Sequence, residues 1–450
     1  MRTLRGWPGG APPLMGATLR DPTLPPSRSR RPPSLQQALL LLLLPAAVLL
    51  GHVACSRARA RLPLLVPQAA ANHAAPVTAL VLNRSASVAL RVRGARAPQR
   101  LQATGAAAGD TSGPCAQRLA IYGSQDGWAS YVSVQYFHLF RLLQHAYGWV
   151  TVPHQGAPGS WDALGRGVVA ALGGHAPDVL LLMEDYGALS SLTGSKADSP
   201  LARTQVWMFT NDLHWREPSV RALKAAGLAA ADLMLGPYAY QLDHFYPELA
   251  GLPRFWVPHG ASSLYQLPLR PHSAVAQRVF LSGASYRDHY PYRAIVADKI
   301  SAGDARFEQQ EHPGYNNPDP ETLGARFAAR LNSYLACVTD GLIYNYTVAK
   351  MLELPAAGCL LLVNGEMAPI LAQLGFVAGT HYLAYTAASL DAVVDAVLDP
   401  ANAAAVDALR AQGQALVWAR HTVAHRAAAV HERAAAACGA RPQSGATGVG

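Results

Sequence analysis

Charge is scarce in this chain. Asp, Glu, Lys and Arg make up 14% of its 450 residues, while half are hydrophobic. That balance allows a large buried core and excludes general disorder. Acids are nearly missing from the first 110 residues, which hold 14 Arg and no Lys against Asp21 and Asp110, a charge of +12. The whole chain carries +9, so the remainder carries −3. The globular part therefore lacks the basic footprint of a nucleic-acid binder, and no nucleic-acid partner is expected. Cysteine is sparse too: Cys55, Cys115, Cys337, Cys359 and Cys438 show neither CxxC nor metal-ligand spacing. Cys359 opens an apolar run and is expected to be a buried thiol. A Cys115–Cys438 bridge would tie the ends of the globular region in an oxidising lumen.

What the leader does contain is a basic tail and one long apolar run. Residues 1–34 are rich in Arg, Pro, Gly and Ser. Residues 35–55 hold the run Ala38–Leu50, which Gly51–Cys55 extends to about the 20 residues needed to span a bilayer. A tail this long and basic is expected to leave the N-terminus in the cytosol and make the run a signal anchor. A cleaved signal peptide has a shorter basic region. The Arg-rich, acid-poor start also fits an organellar transit peptide. The expected location is the Golgi or ER membrane, single-pass type II, with a plastid as the alternative. Residues 56–113, dominated by Ala, Arg, Val and Pro without sustained periodicity, read as a stem. Asn83-Arg84-Ser85 in that stem is a glycosylation sequon.

From Arg118 onward short apolar runs alternate with amphipathic stretches. LAIYG (Leu119–Gly123), PDVLLLME (Pro177–Glu184), QVWMFTND (Gln205–Asp212), ADLMLG (Ala231–Gly236) and RFWVPHG (Arg254–Gly260) read as strands. Tyr131–Tyr147 and Pro218–Ala229 read as helices. After a connector at Leu267–His272 the alternation restarts with strands in 278–285, 305–311, 333–338 and 381–385, and helices at 292–300, 320–331, 390–398 and from Ala403 onward. Strands alternating with helices mean a parallel sheet. The expected fold is α/β, with two Rossmann-like domains at 114–270 and 271–436, a cleft between them, and a disordered tail at 437–450. Ligands in such domains sit at the carboxyl ends of the strands.

Tyr344–Glu366 (YNYTVAKMLELPAAGCLLLVNGE) is the most informative stretch. Thr347 is placed as the N-cap of a short helix limited by Pro355 and ended by Gly358. CLLLV (Cys359–Val363) then reads as a strand covered on both faces. Glu353 is the one acid among apolar neighbours. It reads either as a ligand-binding carboxylate or as the surface partner of Lys350.

KMLELPAAGCLLL, GTHYLAY and GQALVWARHTVAHR, taken in order, resemble the C-terminal half of GT-B-fold glycosyltransferases of the group 1 family, closest to its CgeB-like members. WVPHGAS (Trp256–Ser262) and FLSGASYRDHYPYR (Phe280–Arg293) are similar too. The resemblance spans residues 200–435 and implies a glycosyltransferase using a nucleotide-sugar donor and a glycan or glycoprotein acceptor. LELPAAG (Leu352–Gly358) matches the family helix whose glutamate grips the ribose, so Glu353 takes that role. The family often carries a second glutamate eight positions earlier; here that position is Asn345. The donor diphosphate is expected at the turn Gly283–Ser285, with Arg287, Arg293 or Lys350 supplying cations. The acceptor side is expected on the first half, with Asp126, Asp212 and His214 as candidate general bases if transfer inverts configuration. A structural histidine is an equally good reading of His214 and a better one of His259. The chain has no Asp-x-Asp, the motif by which GT-A enzymes hold a metal, so no metal and no cofactor are expected. His421 and Arg426 match recurring family positions on a last helix that crosses back to the first half.

Two other readings fit the same residues. One is a sugar-binding protein without transfer, suggested by Asn345; the other is a nucleotide-sugar epimerase on the same fold. A second sequon, Asn345-Tyr346-Thr347, falls in the expected sugar site and is therefore expected to be unmodified.

Overall fold

The structure is a computed structural model that describes residues 118–439 except 124–133, 155, 157 and 311–318. The expected anchor, the stem, Asn83, Asp126 and Cys115 lie outside the described residues. Among the described residues no helix is long and apolar enough to cross a membrane.

The first half runs β1 (Leu119–Tyr122), α1 (Gln135–Tyr147), β2 (Val150–Val152), α2 (Trp161–Ala171), β3 (Val179–Met183), α3 (Tyr186–Ser190), β4 (Gln205–Phe209), α4 (Pro218–Ala229), β5 (Leu233–Gly236), α5 (Leu242–Phe245) and β6 (Arg254–Trp256). Its six strands lie in the order β2-β1-β3-β4-β5-β6, each paired in parallel with its neighbours. Strand β3 (VLLLM) is buried along its whole length. Leu180 and Leu182 pack into one core, while Val179, Leu181 and Met183 pack into another on the opposite face. That alternation is why a parallel strand has no polar face. Helix starts are chemically marked: Ser160 accepts the Ala163 N–H ahead of α2, and Glu217 accepts from Ser219 and Val220 ahead of α4, which has Pro218 at its first position. The short β2 and α2 have no counterpart among the elements read from the sequence.

The second half runs β7 (Ala276–Ser282), α6 (Pro291–Ser301), β8 (Phe307–Gln310), α7 (Pro320–Asn332), β9 (Tyr334–Thr339), α8 (Lys350–Ala356), β10 (Leu360–Asn364), α9 (Ala368–Gln373), β11 (Leu383–Tyr385), α10 (Leu390–Leu398), α11 (Ala403–Arg420) and α12 (Val423–Gly439). Its parallel strands lie in the order β11-β10-β9-β7-β8, a doubly wound arrangement whose direction reverses between β7 and β9. The expected single helix beyond Ala403 is interrupted at His421. Val423, Ala427, Val430 and Ala434, spaced on one helical face, then pack α12 against Tyr136, Phe140 and Leu143 of α1. The last helix thus completes the core of the first half.

Two local expectations need correction. Thr347 does not cap α8; the helix begins after Ala349 without a side-chain cap, and the Thr347 N–H bonds instead to the Tyr240 hydroxyl at 3.0 Å. Cys359 is not a free thiol. It is bonded to Cys337 on the neighbouring strand, with Cα atoms 5.8 Å apart and both residues fully buried. The two cysteines lie 22 residues apart in the chain, and parallel pairing of β9 with β10 brings them within disulfide reach. The side chain of Cys438 lies outside the described residues.

Candidate active site

The sequence ends β7 in Ser282-Gly283 and β9 in Thr339-Asp340, the two strands flanking the point where strand order reverses. Gly283 has φ +88°, a backbone state that L side chains avoid. A Cβ built on it would lie 3.0 Å from Lys350 Cε, 3.2 Å from Arg293 Nη1 and 3.4 Å from Lys350 Nζ. Two cations from different helices therefore close over one glycine turn, which suits a polyanion.

The two cations differ in their surroundings. Arg293 is 3% exposed. Its Nε lies 3.1 Å from Asp340 Oδ1, and its Nη2 donates to Thr339 Oγ1 at 2.9 Å. Burial raises the Asp340 pKa, and Arg293 opposes that rise. Lys350 is partly buried; burial lowers its pKa, Glu353 restores part of the loss, and Arg293 adds to it. Glu353, one helical turn along α8, is only 8% exposed, so it is not a surface partner of Lys350. Burial raises its pKa, with Lys350 and a hydrogen bond from Tyr265 acting the other way. Ser285 lies partly buried in the same turn. Arg287 points elsewhere: its exposed side chain pairs with Asp298 of α6.

Asn345 stands in the left-handed region (φ +53°), which asparagine tolerates better than most residues. It is exposed, and its carbonyl accepts the Tyr240 hydroxyl at 2.9 Å. The loop carrying it reaches into the first half. There His214 stacks on Tyr344 at 4.6 Å and tilts against Tyr346 at 5.6 Å. Burial, with His289, Lys224 and Arg216 nearby, pushes the His214 pKa down to about 4, so the ring is neutral near pH 7. Its Nδ1 is buried without a hydrogen-bond partner. Asp212 is raised by burial, an effect that Lys224 moderates. The Lys224 ammonium itself donates to the Asp212 carbonyl at 2.6 Å and lies 3.6 Å from Glu184. Asp212 and His214 are thus adjacent to the donor-side loop, while Asp126 lies outside the described residues.

His259 is a fully satisfied ring. Its Nδ1 lies 3.3 Å from both Gln135 Nε2 and the Tyr136 hydroxyl, and its Nε2 lies 3.0 Å from the Tyr238 hydroxyl. Burial, followed by Arg426 and Lys350, lowers its pKa to about 3. Arg426 donates to the carbonyls of Pro258 and His259 at 2.9 and 3.0 Å, and to His421 Nδ1 at 2.8 Å. His421 in turn bonds the Leu374 carbonyl at 2.7 Å. This pair fastens the start of α12 to the segment that leaves β6. Residue pattern did not single out Tyr238, Tyr265 or Asp340; each acts through a partner distant in sequence. Among the described residues no group of three or more His, Cys, Asp or Glu is arranged to hold a metal ion.

Two parallel doubly wound sheets are consistent with the expected GT-B pair of Rossmann-like domains. Residues 318–432 match a family model described as glycosyl transferase-like, and the match falls on the half that carries Lys350 and Glu353. The stretch 318–432 is glycosyl transferase-like, and over that stretch the likeness to the group 1 kind holds. Solved structures of similar layout include a sucrose-phosphate synthase from Thermosynechococcus elongatus, 14% identical, covering 71% of this chain and 100% of its own, with a TM-score of 0.49. HepE of Anabaena in complex with UDP is 13% identical, with 71% and 100% coverage and a TM-score of 0.46. A glycosyltransferase from Rickettsia africae ESF-5 is 8% identical, with 73% and 100% coverage and a TM-score of 0.44. No curated protein sequence matches the chain.

Proposed function

We propose that the protein transfers a sugar from a nucleotide-sugar donor to a glycan or glycoprotein acceptor without a metal ion. The observation that carries this reading is the Gly283 turn, with Lys350 and Arg293 closing over it and Glu353 one helical turn from Lys350. Lys350 and Arg293 receive the charge that builds on the departing diphosphate, where a GT-A enzyme uses a metal. Glu353 accepts hydrogen bonds from the two ribose hydroxyls and fixes the nucleoside. His214, neutral at working pH, or Asp212 takes the proton of the acceptor hydroxyl if configuration inverts. The exposed Asn345 occupies the place of the family's second carboxylate and faces the donor without charge.

The Cys337–Cys359 disulfide supports work in an oxidising lumen, on the Golgi or ER side of a membrane reached by residues 35–55. The test is a thermal-shift screen of the full-length protein against nucleotide sugars, followed by transfer assays with and without EDTA. A stabilising donor, EDTA-insensitive transfer and its loss in Glu353→Ala are expected. Donor binding with no turnover on any acceptor would leave a sugar-binding protein in its place. Isomerised free donor would point to the epimerase.

A further inference from the structure

Tyr346 belongs to the loop of the second half, yet most of its side-chain contacts lie in the first. It is 1% exposed, and its ring stacks on Tyr238 with centroids 3.7 Å apart and planes 9° apart. Its hydroxyl oxygen accepts the N–H of Leu213 at 3.2 Å. Leu213 is itself 1% exposed and sits between Asp212 and His214. A buried backbone N–H needs a partner, and here a side chain from the other half supplies it. The loop is held from the same side. The Tyr240 hydroxyl donates to the Asn345 carbonyl at 2.9 Å and accepts from Thr347 N–H at 3.0 Å, and Gln241 donates to the Tyr344 carbonyl at 2.9 Å. Residues 238–241 therefore grip residues 344–347, and the gripped loop leads directly into Lys350 and Glu353.

We propose that Tyr346 is a positioning residue for transfer: it sets the Asp212–Leu213–His214 segment of one half in register with the donor site of the other. The inference rests on the transferase reading above. The Tyr346 hydroxyl is the acceptor for the Leu213 amide, which lies between two candidate bases. A displacement of about 1 Å in such a segment costs on the order of 100-fold in rate, because the reacting groups lose alignment. The ring and hydroxyl of Tyr346 meet Leu213, His214, Tyr238, Phe245 and Tyr344 rather than Gly283, Arg293, Lys350 or Glu353, so donor affinity is kept.

The test is Tyr346→Phe in the full chain, which keeps the ring and its stack on Tyr238 but removes the acceptor for the Leu213 N–H. The expected result is a fall in kcat of about 10-fold or more with donor KM unchanged. Amide exchange across residues 211–215, read by mass spectrometry, should quicken, with Tm falling only by the few degrees that one unsatisfied buried N–H brings. A kcat equal to wild type overturns the inference. So does a fall in kcat accompanied by a raised donor KM and a Tm loss beyond those few degrees, which would mark a merely structural role. If the wild-type chain transfers no sugar, the transferase reading fails by itself and the exchange measurement still decides the contact. Unchanged exchange in Tyr346→Phe would then remove it.

Discussion

Gly283 and Lys350 stand so close that a methyl group on the glycine would come within 3.0 Å of the lysine Cε. The turn is left-handed at φ +88°, so any L side chain there is strained before it meets a neighbour. Gly283→Ala is expected to cost about 1–2 kcal/mol of stability through the backbone alone. It should also push Lys350 and Arg293 off the turn and weaken nucleoside diphosphate binding about 10-fold or more. Titration calorimetry with a panel of nucleoside diphosphates, beside a melting curve, reads both effects. Unchanged affinity would remove the turn from the donor site.

Glu353 links the site to pH. Burial raises its pKa above the usual 4.5, against the opposing pull of Lys350 and the Tyr265 hydrogen bond. The unfolded chain releases this proton first. Its contribution to stability is therefore greatest at acid pH and falls as pH rises from 4.5 through the folded value. Ribose binding runs the other way, since the carboxylate is the better acceptor, so donor affinity should climb over the same window. Glu353→Gln is expected to flatten that climb and to weaken donor binding by about 10- to 100-fold at neutral pH, the loss of a charge-assisted hydrogen bond. Donor dissociation constants measured from pH 4 to 8 in both proteins test the sign.

Arg287 and Arg293 make a paired comparison. Arg293 is buried in an ion pair with Asp340, and Arg293→Ala leaves that acid uncompensated, at a cost of about 3–5 kcal/mol. Arg287 is 60% exposed on that side chain and pairs with an equally exposed Asp298, so Arg287→Ala should cost less than about 1 kcal/mol. Chemical denaturation separates the two. A strong loss of donor affinity in Arg287→Ala would return that residue to the site.

The disulfide closes a segment of 22 residues that contains the whole of α8. Removing it frees that segment in the unfolded chain, and Cys337→Ala with Cys359→Ala is expected to lose about 3 kcal/mol. Melting with and without reductant should give the same difference in the wild type and none in the double variant. A wild-type melt indifferent to reductant, with free thiols detected after unfolding, would show that the bond does not form.

The strands were legible because a parallel strand must be apolar on both faces, and VLLLM and CLLLV can satisfy little else. Pro218 and Gly358 marked helix ends for equally local reasons. Strand β2 (VTV) was not legible, since three residues carry no periodicity. Nor was α12 as a separate helix: the run breaks at His421, where the backbone pairs with Ala261 and the ring bonds Arg426 and the Leu374 carbonyl, and two of those partners are far away in sequence.

By itself, then, the sequence determined the two α/β halves and drew attention to Glu353, an acid set among apolar residues. Local chemistry suffices for that. The tertiary structure alone decided which arginine meets the glycine turn, which cysteine meets Cys359, and that Tyr346 reaches Leu213. Those pairs are 10, 22 and 133 residues apart, and only packing the strands side by side and the halves across one loop brings them into contact.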